Sequence, residues 1–262
     1  MPLIPPPDTW RWLLRLLGPL KVTMAEAYTE SGEGSFDHGI FDQLLRQHVS
    51  APGFVDYEEL AADAHILDTY LESIAGVDFA ALARDEKLAL LINTYNAATL
   101  QLVLDHLPLA SIKNIPTRDR WKARRWNIGG TIFSLEEIEN NELRSKFIDP
   151  RIHFAINCAS LGCPKLRCVA FTGSDIHAEL DAHTRDVHAD PRWARVTGRR
   201  MDLTKIYRWY EGDFVQAAGS VSGWAADYVP DAPEPASIGW LPYGWALNAA
   251  RLPVGPARRS GS

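Results

Sequence analysis

Residues 86–105 constrain the fold more than any other stretch, because they read as a helix that is apolar on nearly every side. A surface helix carries one apolar stripe, whereas a helix that is greasy all round must be enclosed by the rest of its chain. The remaining elements therefore have to wrap around it. On this helix Glu86, Asn93 and Asn96 fall within an arc of about 80°, taking ~100° per residue, and form a single polar stripe. Buried amides must be paired. Either the stripe is a structural network that fixes neighbouring backbone, or it faces a pocket and supplies hydrogen bonds to a substrate or a catalytic histidine.

The flanking sequence supplies the enclosing elements. Phe36, Ile40, Phe41, Leu44 and Leu45 recur at helical spacing, as do Tyr57, Leu60, Ala64, Leu67, Leu71 and Ile74, and Pro108 closes the central helix. Residues 126–133, with Gly129-Gly130 between two short runs, read as a hairpin. Ser134-Leu-Glu-Glu137 then opens a helix as a capping box. Residues 152–157 read as a buried strand, 176–187 as a helix, 195–203 as paired strands and 206–217 as a helix. The expected class is α+β: one helix-rich domain whose small β-sheet carries a cysteine motif at a strand exit. Its bounds are 35–250, after an N-terminal arm over 1–34 and before a disordered tail over 251–262.

Charge and cysteine usage exclude several classes of function. The chain's 27 basic and 33 acidic residues give a net charge of -6 with no long basic run, so a nucleic-acid partner is not expected. No apolar run approaches the ~20 residues that span a bilayer. The most hydrophobic N-terminal piece, Trp10 to Leu17, is interrupted by Arg11 and Arg15, which disfavours a cleaved signal peptide. As a helix it is a short amphipath suited to docking on the protein's own body or, less readily, to a membrane surface. Three cysteines, an odd number, are unlike a disulfide framework and point to a reducing, cytoplasmic setting. His153, Cys158, Cys163 and Cys168 recur every five residues, but that spacing scatters them over opposite faces of a strand, and no C-x2-C pair is present. Neither a metal nor another cofactor is expected.

The candidate chemistry lies in Asp149-Pro-Arg-Ile-His-Phe-Ala-Ile-Asn-Cys-Ala-Ser-Leu-Gly-Cys-Pro164. A strand-to-loop turn at Cys158 would expose a nucleophilic thiol and present the following backbone amides to an oxyanion. His153 is the nearest histidine in sequence, yet along a straight strand it points to the opposite face. Either the chain bends between them or the base comes from elsewhere. The other reading of both cysteines is that of small buried hydrophobes.

These residues carry a resemblance. Val55 to Leu60, Glu86 to Leu100, Ser134 to Glu139 with Leu143-Arg144, Asp149 to Leu166, Leu203 to Phe214 and Leu241 to Asn248 resemble, in order, successive blocks of the domain of unknown function 547 family. The family's motif falls on Glu86, Asn93, Tyr95, Asn96, Glu139, Arg144, Asp149, Arg151, His153, Asn157, Cys158, Ser160, Cys163 and Pro164, with Cys168 outside it. At Asn140 the chain departs from the histidine that the family usually carries there. Relatives joined to glutaredoxin-like, DEP or leucine-zipper segments imply thiol chemistry in one case and interaction modules in the others. The expectation is a cofactor-independent thiol hydrolase or acyl transferase: Cys158 attacks, with His153 as base and Asn157 orienting, and Glu86, Asn93, Asn96, Ser160 and Arg151 contact substrate. The alternatives are a thiol-redox protein using Cys158 and Cys163, or a non-catalytic interaction module. The substrate, a small molecule or peptide, and any protein partner are not legible.

Overall fold

The computed structural model describes residues 22–28, 31–234 and 236–251. In chain order the elements are α1 (Gly39–His48), α2 (Tyr57–Ala62), α3 (Ala64–Ala75), α4 (Arg84–Leu104), a 3-10 turn (Ile112–Asn114) and α5 (Thr117–Arg120). The hairpin β1 (Trp126–Ile128) and β2 (Thr131–Phe133) follows, then α6 (Leu135–Glu137), which widens into a π-helical stretch (Ile138–Arg144). After α7 (Ile152–Ala155) come a 3-10 turn (Gly173–Asp175), α8 (Ile176–His188), β3 (Ala194–Thr197) and β4 (Arg200–Leu203). The order closes with α9 (Lys205–Trp209), α10 (Glu211–Ala218), α11 (Val221–Ala226) and β5 (Ser237–Trp240). The class is α+β, as expected.

Every residue of α4 from 87 to 100 is buried, so the helix that read as apolar all round is the axis of the molecule. It packs against α3, the π-helical stretch, the second 3-10 turn and α8. A first hydrophobic core surrounds it, built from α1, α2 and α3 together with Leu135, Ile138, Leu143, Phe147, Ile152 and Ala155. A second, aromatic core gathers Phe154, Trp193, Met201, Tyr207, Phe214 and Trp224. Helix α7 joins the two, with Ile152 and Ala155 in the first core and Phe154 in the second. The cysteine loop leaves from this seam, which burial on both sides holds in place.

The hairpin pairs Trp126 with Phe133 and Ile128 with Thr131, and its Gly129 and Gly130 adopt positive φ. The capping box at Ser134 is complete: its amide donates to Glu137 Oε2 at 2.8 Å and its Oγ accepts from the Glu137 amide at 3.2 Å. In the other sheet β4 lies between β3, antiparallel to it, and β5, parallel to it. That parallel partner was not anticipated, since β5 lies in a stretch of short, turn-rich sequence.

Three expectations are corrected. Residues 152–157 form no strand; Ile152–Ala155 is a helical turn and Ile156 alone is extended. The cause lies upstream: Asp149 Oδ1 accepts from the Arg151 amide at 3.0 Å, and the amides of Ile152 and His153 bond back to the carbonyls of Asp149 and Pro150. An Asp-Pro start of this kind favours a helical turn, and a short apolar run does not by itself distinguish strand from helix. The cysteine motif is consequently not carried by a sheet. The helices expected over 57–74 and 206–217 each break in two, at Asp63 and at Tyr210.

Of the N-terminal arm, Tyr28 donates to Glu142 at 2.7 Å and Gly34 pairs with the chain at Ala81 and Leu82. The amphipath Trp10 to Leu17 and the tail from residue 252 lie outside the described residues. Among the described residues no helix is long and apolar enough to cross a membrane.

Candidate functional site

The loop from Asn157 to Cys163 is held from three sides. Asn96, on α4, donates through Nδ2 to the Ala155 carbonyl at 3.0 Å and accepts the Asn157 amide at 2.8 Å. The Asn157 side chain accepts the Ala159 amide at 2.8 Å and donates to the Pro164 carbonyl at 2.7 Å, closing the loop from within. The third side is the chain at 244–248: the amides of Leu161, Gly162 and Asn248 pair with the carbonyls of Ala246, Gly244 and Ala159. Ala159 sits at φ 58° and is fully buried. A left-handed alanine costs roughly 1–2 kcal/mol, which these contacts sustain immediately beside Cys158. Strain of this kind concentrates at functional sites.

The Cys158 sulfur is half-buried and surrounded by donors. It lies 3.1 Å from Ser160 Oγ and 3.3 Å from Tyr243 Oη, and those two hydroxyls are 3.0 Å apart. The Cys158 amide donates to Cys163 Sγ at 3.1 Å. Hydrogen bonding from the Cys163 thiol, with help from Ser160 and Tyr243, outweighs burial and lowers the Cys158 thiol from 9.0 to about 7. Burial, reinforced by the hydrogen bond to Cys158, holds the Cys163 thiol well above its ordinary range. The two thiols are thus driven apart in acidity, one toward thiolate and the other toward a retained proton.

Burial also raises Tyr57, Tyr95, Tyr210 and Tyr243, and the charge on Cys158 adds to it in each case. All four phenols are therefore neutral donors at ordinary pH. Tyr210 donates to Glu139 Oε1 at 2.6 Å, and Tyr57 to Asn248 Oδ1 at 2.8 Å. Toward solvent, Tyr243 packs on Trp245 and Trp209 with ring centroids 4.6 and 4.7 Å away, forming a half-buried aromatic wall beside the sulfur. Gly162 permits this closure, since a Cβ there would lie 2.7 Å from Tyr243 Cγ.

His153 is placed elsewhere. Its Nε2 contacts Asp213 at 2.8 Å, its ring stacks on Tyr210 at 4.0 Å, and its buried Nδ1 has no partner among the described residues. Arg144 grips the same carboxylate through two nitrogens at 2.8 and 3.0 Å. Burial pushes Asp213 up, but the bonds from His153 and Arg144 prevail and hold its carboxyl below the usual range. Asn140, where the family usually has histidine, accepts from Arg144 at 2.6 Å and belongs to this network. Among the described residues no histidine is bonded to the Cys158 sulfur.

The polar stripe of α4 serves backbone. Asn93 takes the Phe171 amide and carbonyl at 3.0 and 2.8 Å, and Glu86 lies against Gly173 and receives the Phe36 amide at 3.4 Å. Of the residues expected to contact substrate, only Ser160 touches the sulfur. Arg151 is paired with Asp149 and with the His177 carbonyl. It lines a cleft of about 470 Å3 whose walls include neither cysteine. The amides expected to receive an oxyanion are engaged as well: that of Ala159 by Asn157, and that of Ser160 by the Cys158 sulfur. Tyr243 was not expected in the site. Tyr243 lay within a block that resembled the family, and its aromatic neighbours were the available signal.

The fold and site define a helix-rich α+β protein built around a buried helix, with a paired-thiol loop at the seam of two cores. Residues 79–186 match the model of the family described as "Protein of unknown function, DUF547". The match spans α4 through the cysteine loop into α8, while the blocks at 55–60, 203–214 and 241–248 lie beyond it. Neither a curated protein nor a solved structure matches the chain.

Proposed function

We propose that the protein is a thiol-dependent enzyme in which Cys158 is the nucleophile and Cys163 its resolving partner in thiol–disulfide exchange. The observation that carries this reading is that the Cys158 amide donates to the Cys163 sulfur at 3.1 Å, which brings the two residues together in one loop where their thiols diverge in acidity, one lowered to about 7 and the other raised. A thiol near 7 is about half thiolate at neutral pH and needs no histidine to activate it. The Cys158 thiolate attacks one sulfur of a substrate disulfide, forming a mixed disulfide and expelling the other sulfur as a thiolate, which takes up a proton. The charge and hydrogen bond that helped hold the Cys163 proton are then gone. Cys163 loses its proton to water and attacks the Cys158 sulfur, releasing the second substrate thiol. Two cysteine thiols are oxidised to one disulfide while one substrate disulfide is reduced to two thiols.

Acyl transfer by Cys158 is the second reading, favoured by the Ser160 and Tyr243 hydroxyls, which can donate to an oxyanion in place of the occupied amides. The engaged amides and the absence of a histidine at the sulfur favour exchange. Incubation in glutathione redox buffers with mass analysis separates the two. Exchange requires a reversible Cys158–Cys163 disulfide, with Cys158→Ser and Cys163→Ser both unable to cycle. Acyl transfer requires Cys163→Ser to keep esterase or transferase turnover that Cys158→Ser loses.

A further inference from the structure

The Cys158 sulfur has more donors around it than thiol–disulfide exchange uses. Ser160 Oγ lies 3.1 Å from the sulfur and Tyr243 Oη 3.3 Å, and the two hydroxyls are 3.0 Å apart, so they close a triangle at the point of attack. Sulfur is a weak hydrogen-bond acceptor. A thiolate expelled from a disulfide needs little help to leave, because its parent thiol has an ordinary pKa of ~8.5. An expelled alkoxide or hydroxide is a far stronger base, the parent of hydroxide being water at ~15.7, and hydroxyl donors placed where that charge develops are what it requires. Burial keeps the Tyr243 phenol protonated and so able to donate. The outer surroundings of the sulfur are apolar. The rings of Trp209 and Trp245 pack on Tyr243, and Leu161, 40% exposed, lies beside them across Gly244, where an added Cβ would meet the Leu161 Cβ at 3.5 Å. On the inner side, the cavity whose walls include Asn157, Ser160, Cys163 and Asn248 measures about 10 Å3. That is the room of one water, which leaves the collar of aromatics and Leu161 for any substituent.

We propose that Cys158 also reduces organic hydroperoxides, with the Ser160 and Tyr243 hydroxyls bonded to the peroxide oxygens and the apolar substituent lying on Trp209, Trp245 and Leu161. The inference rests on the thiol reading above and adds an oxidant to it. The Cys158 thiolate attacks the hydroxyl-bearing oxygen: an S–O bond forms, the O–O bond breaks, and the alkoxide leaves with the bonding pair. The alkoxide takes a proton through the Ser160–Tyr243 pair, which recovers it from water, and departs as the alcohol. Cys163 then loses its proton and attacks the sulfur of the Cys158 sulfenic acid, and the expelled hydroxide takes up a proton and leaves as water. Two thiols are oxidised to one disulfide while one hydroperoxide is reduced to an alcohol and water. A small thiol such as glutathione returns the disulfide to the dithiol by exchange.

The test mixes the reduced full chain at pH 7 with cumene hydroperoxide or hydrogen peroxide and follows loss of the Cys158 thiol by peptide mass. Each rate is divided by the iodoacetamide rate of the same protein, which removes differences in thiolate fraction. Cumene hydroperoxide should react about tenfold faster than hydrogen peroxide. Tyr243→Phe and Ser160→Ala should each lower the normalised rate about five- to fiftyfold with both peroxides, and either variant reports if the other fails to fold. Trp245→Ala should erase most of the preference for cumene hydroperoxide. Leu161→Ser, an exposed change, should lower that preference in part and reports even if Trp245→Ala does not fold. The product should be a Cys158–Cys163 disulfide in the wild type and a dimedone-trapped Cys158 sulfenic acid in Cys163→Ser. Normalised rates equal to those of free cysteine, or unmoved in every folded hydroxyl variant, overturn the peroxide assignment and leave the exchange reading standing. A preference for hydrogen peroxide, or one unaltered by the collar variants, overturns the organic substituent. Failure of iodoacetamide as well as both peroxides to modify Cys158 overturns the thiol reading itself.

Discussion

Replacing Cys163 with alanine should make Cys158 an ordinary thiol. The hydrogen bond from Cys163 is the largest influence lowering Cys158, and what remains, Ser160 and Tyr243, must then oppose burial alone. At about 7 the thiol is half ionised at pH 7, whereas at 9.0 only about one molecule in a hundred is ionised. Alkylation by iodoacetamide follows the thiolate fraction, so the rate at pH 7 should fall about five- to fiftyfold, depending on how far the pKa returns. The assay is the rate of Cys158 carbamidomethylation against pH, read by peptide mass, in wild type and in Cys163→Ala. The midpoint should move upward from near 7, while the plateau rate at high pH stays of the same order. Cys163→Ser, which keeps a donor, should move it less. An unchanged midpoint in a folded Cys163→Ala protein would refute the idea that the second thiol sets the acidity of the first.

Other consequences follow from the same contacts. Burial lowers His38, His183 and His188 to about 4. Each is a base with a depressed folded pKa, so the unfolded chain binds protons first, and stability falls as pH drops from about 6.5 toward 4. At pH 5 the loss is roughly 2 kcal/mol per histidine, so urea midpoints should fall steeply between pH 7 and 5; equal midpoints would contradict the burial of these rings. Asn96→Ala leaves the Ala155 carbonyl and Asn157 amide unpaired, at about 1–3 kcal/mol each, and should both lower the denaturation midpoint and slow Cys158 labelling. Loss of stability with unaltered labelling would separate Asn96 from the thiol loop. Asp213→Ala removes the buried carboxylate that Arg144 and His153 share and should cost about 3–5 kcal/mol, measurable by urea titration, while Cys158 labelling in any folded fraction keeps its pH midpoint.

The sequence made the central helix legible because its apolar residues leave no solvent face, and the hairpin and capping box because each has a local chemical signature in Gly129-Gly130 and in Ser134 with Glu137. The turn at Ile152–Ala155 was misread because β-branched and aromatic residues in a short run look alike in strand and helix; what decides is Asp149-Pro150, whose side chain and ring start a helical turn. The breaks at Asp63 and Tyr210 interrupt periodicities that continue across them. At the site, the loop's importance was legible from the density of polar residues, but its wiring was not. Tyr243 lies 85 residues from Cys158 in the chain. Asp213, which takes up His153, is 60 residues from it. Pairings of that range depend on how two cores meet at α7, and spacing along the chain carries no trace of it. The polar stripe of α4 was found, and the reading that has it fixing neighbouring backbone is the one its hydrogen bonds match, at Phe171 for Asn93 and at residues 155–157 for Asn96.

The central claim is that Cys158 is a poised thiolate, and differential alkylation of the native protein tests it most directly. Cys163 is buried, whereas Cys158 and Cys168 are both half-buried, and of these two it is Cys158 that sits among hydroxyl donors and is lowered to about 7. Limiting iodoacetamide between pH 5 and 9, with quenching and peptide mass analysis, should label Cys158 first and alone, with a midpoint near 7. Slow, equal labelling of all three thiols that appears only on unfolding would mark them as packing residues and would contradict the account.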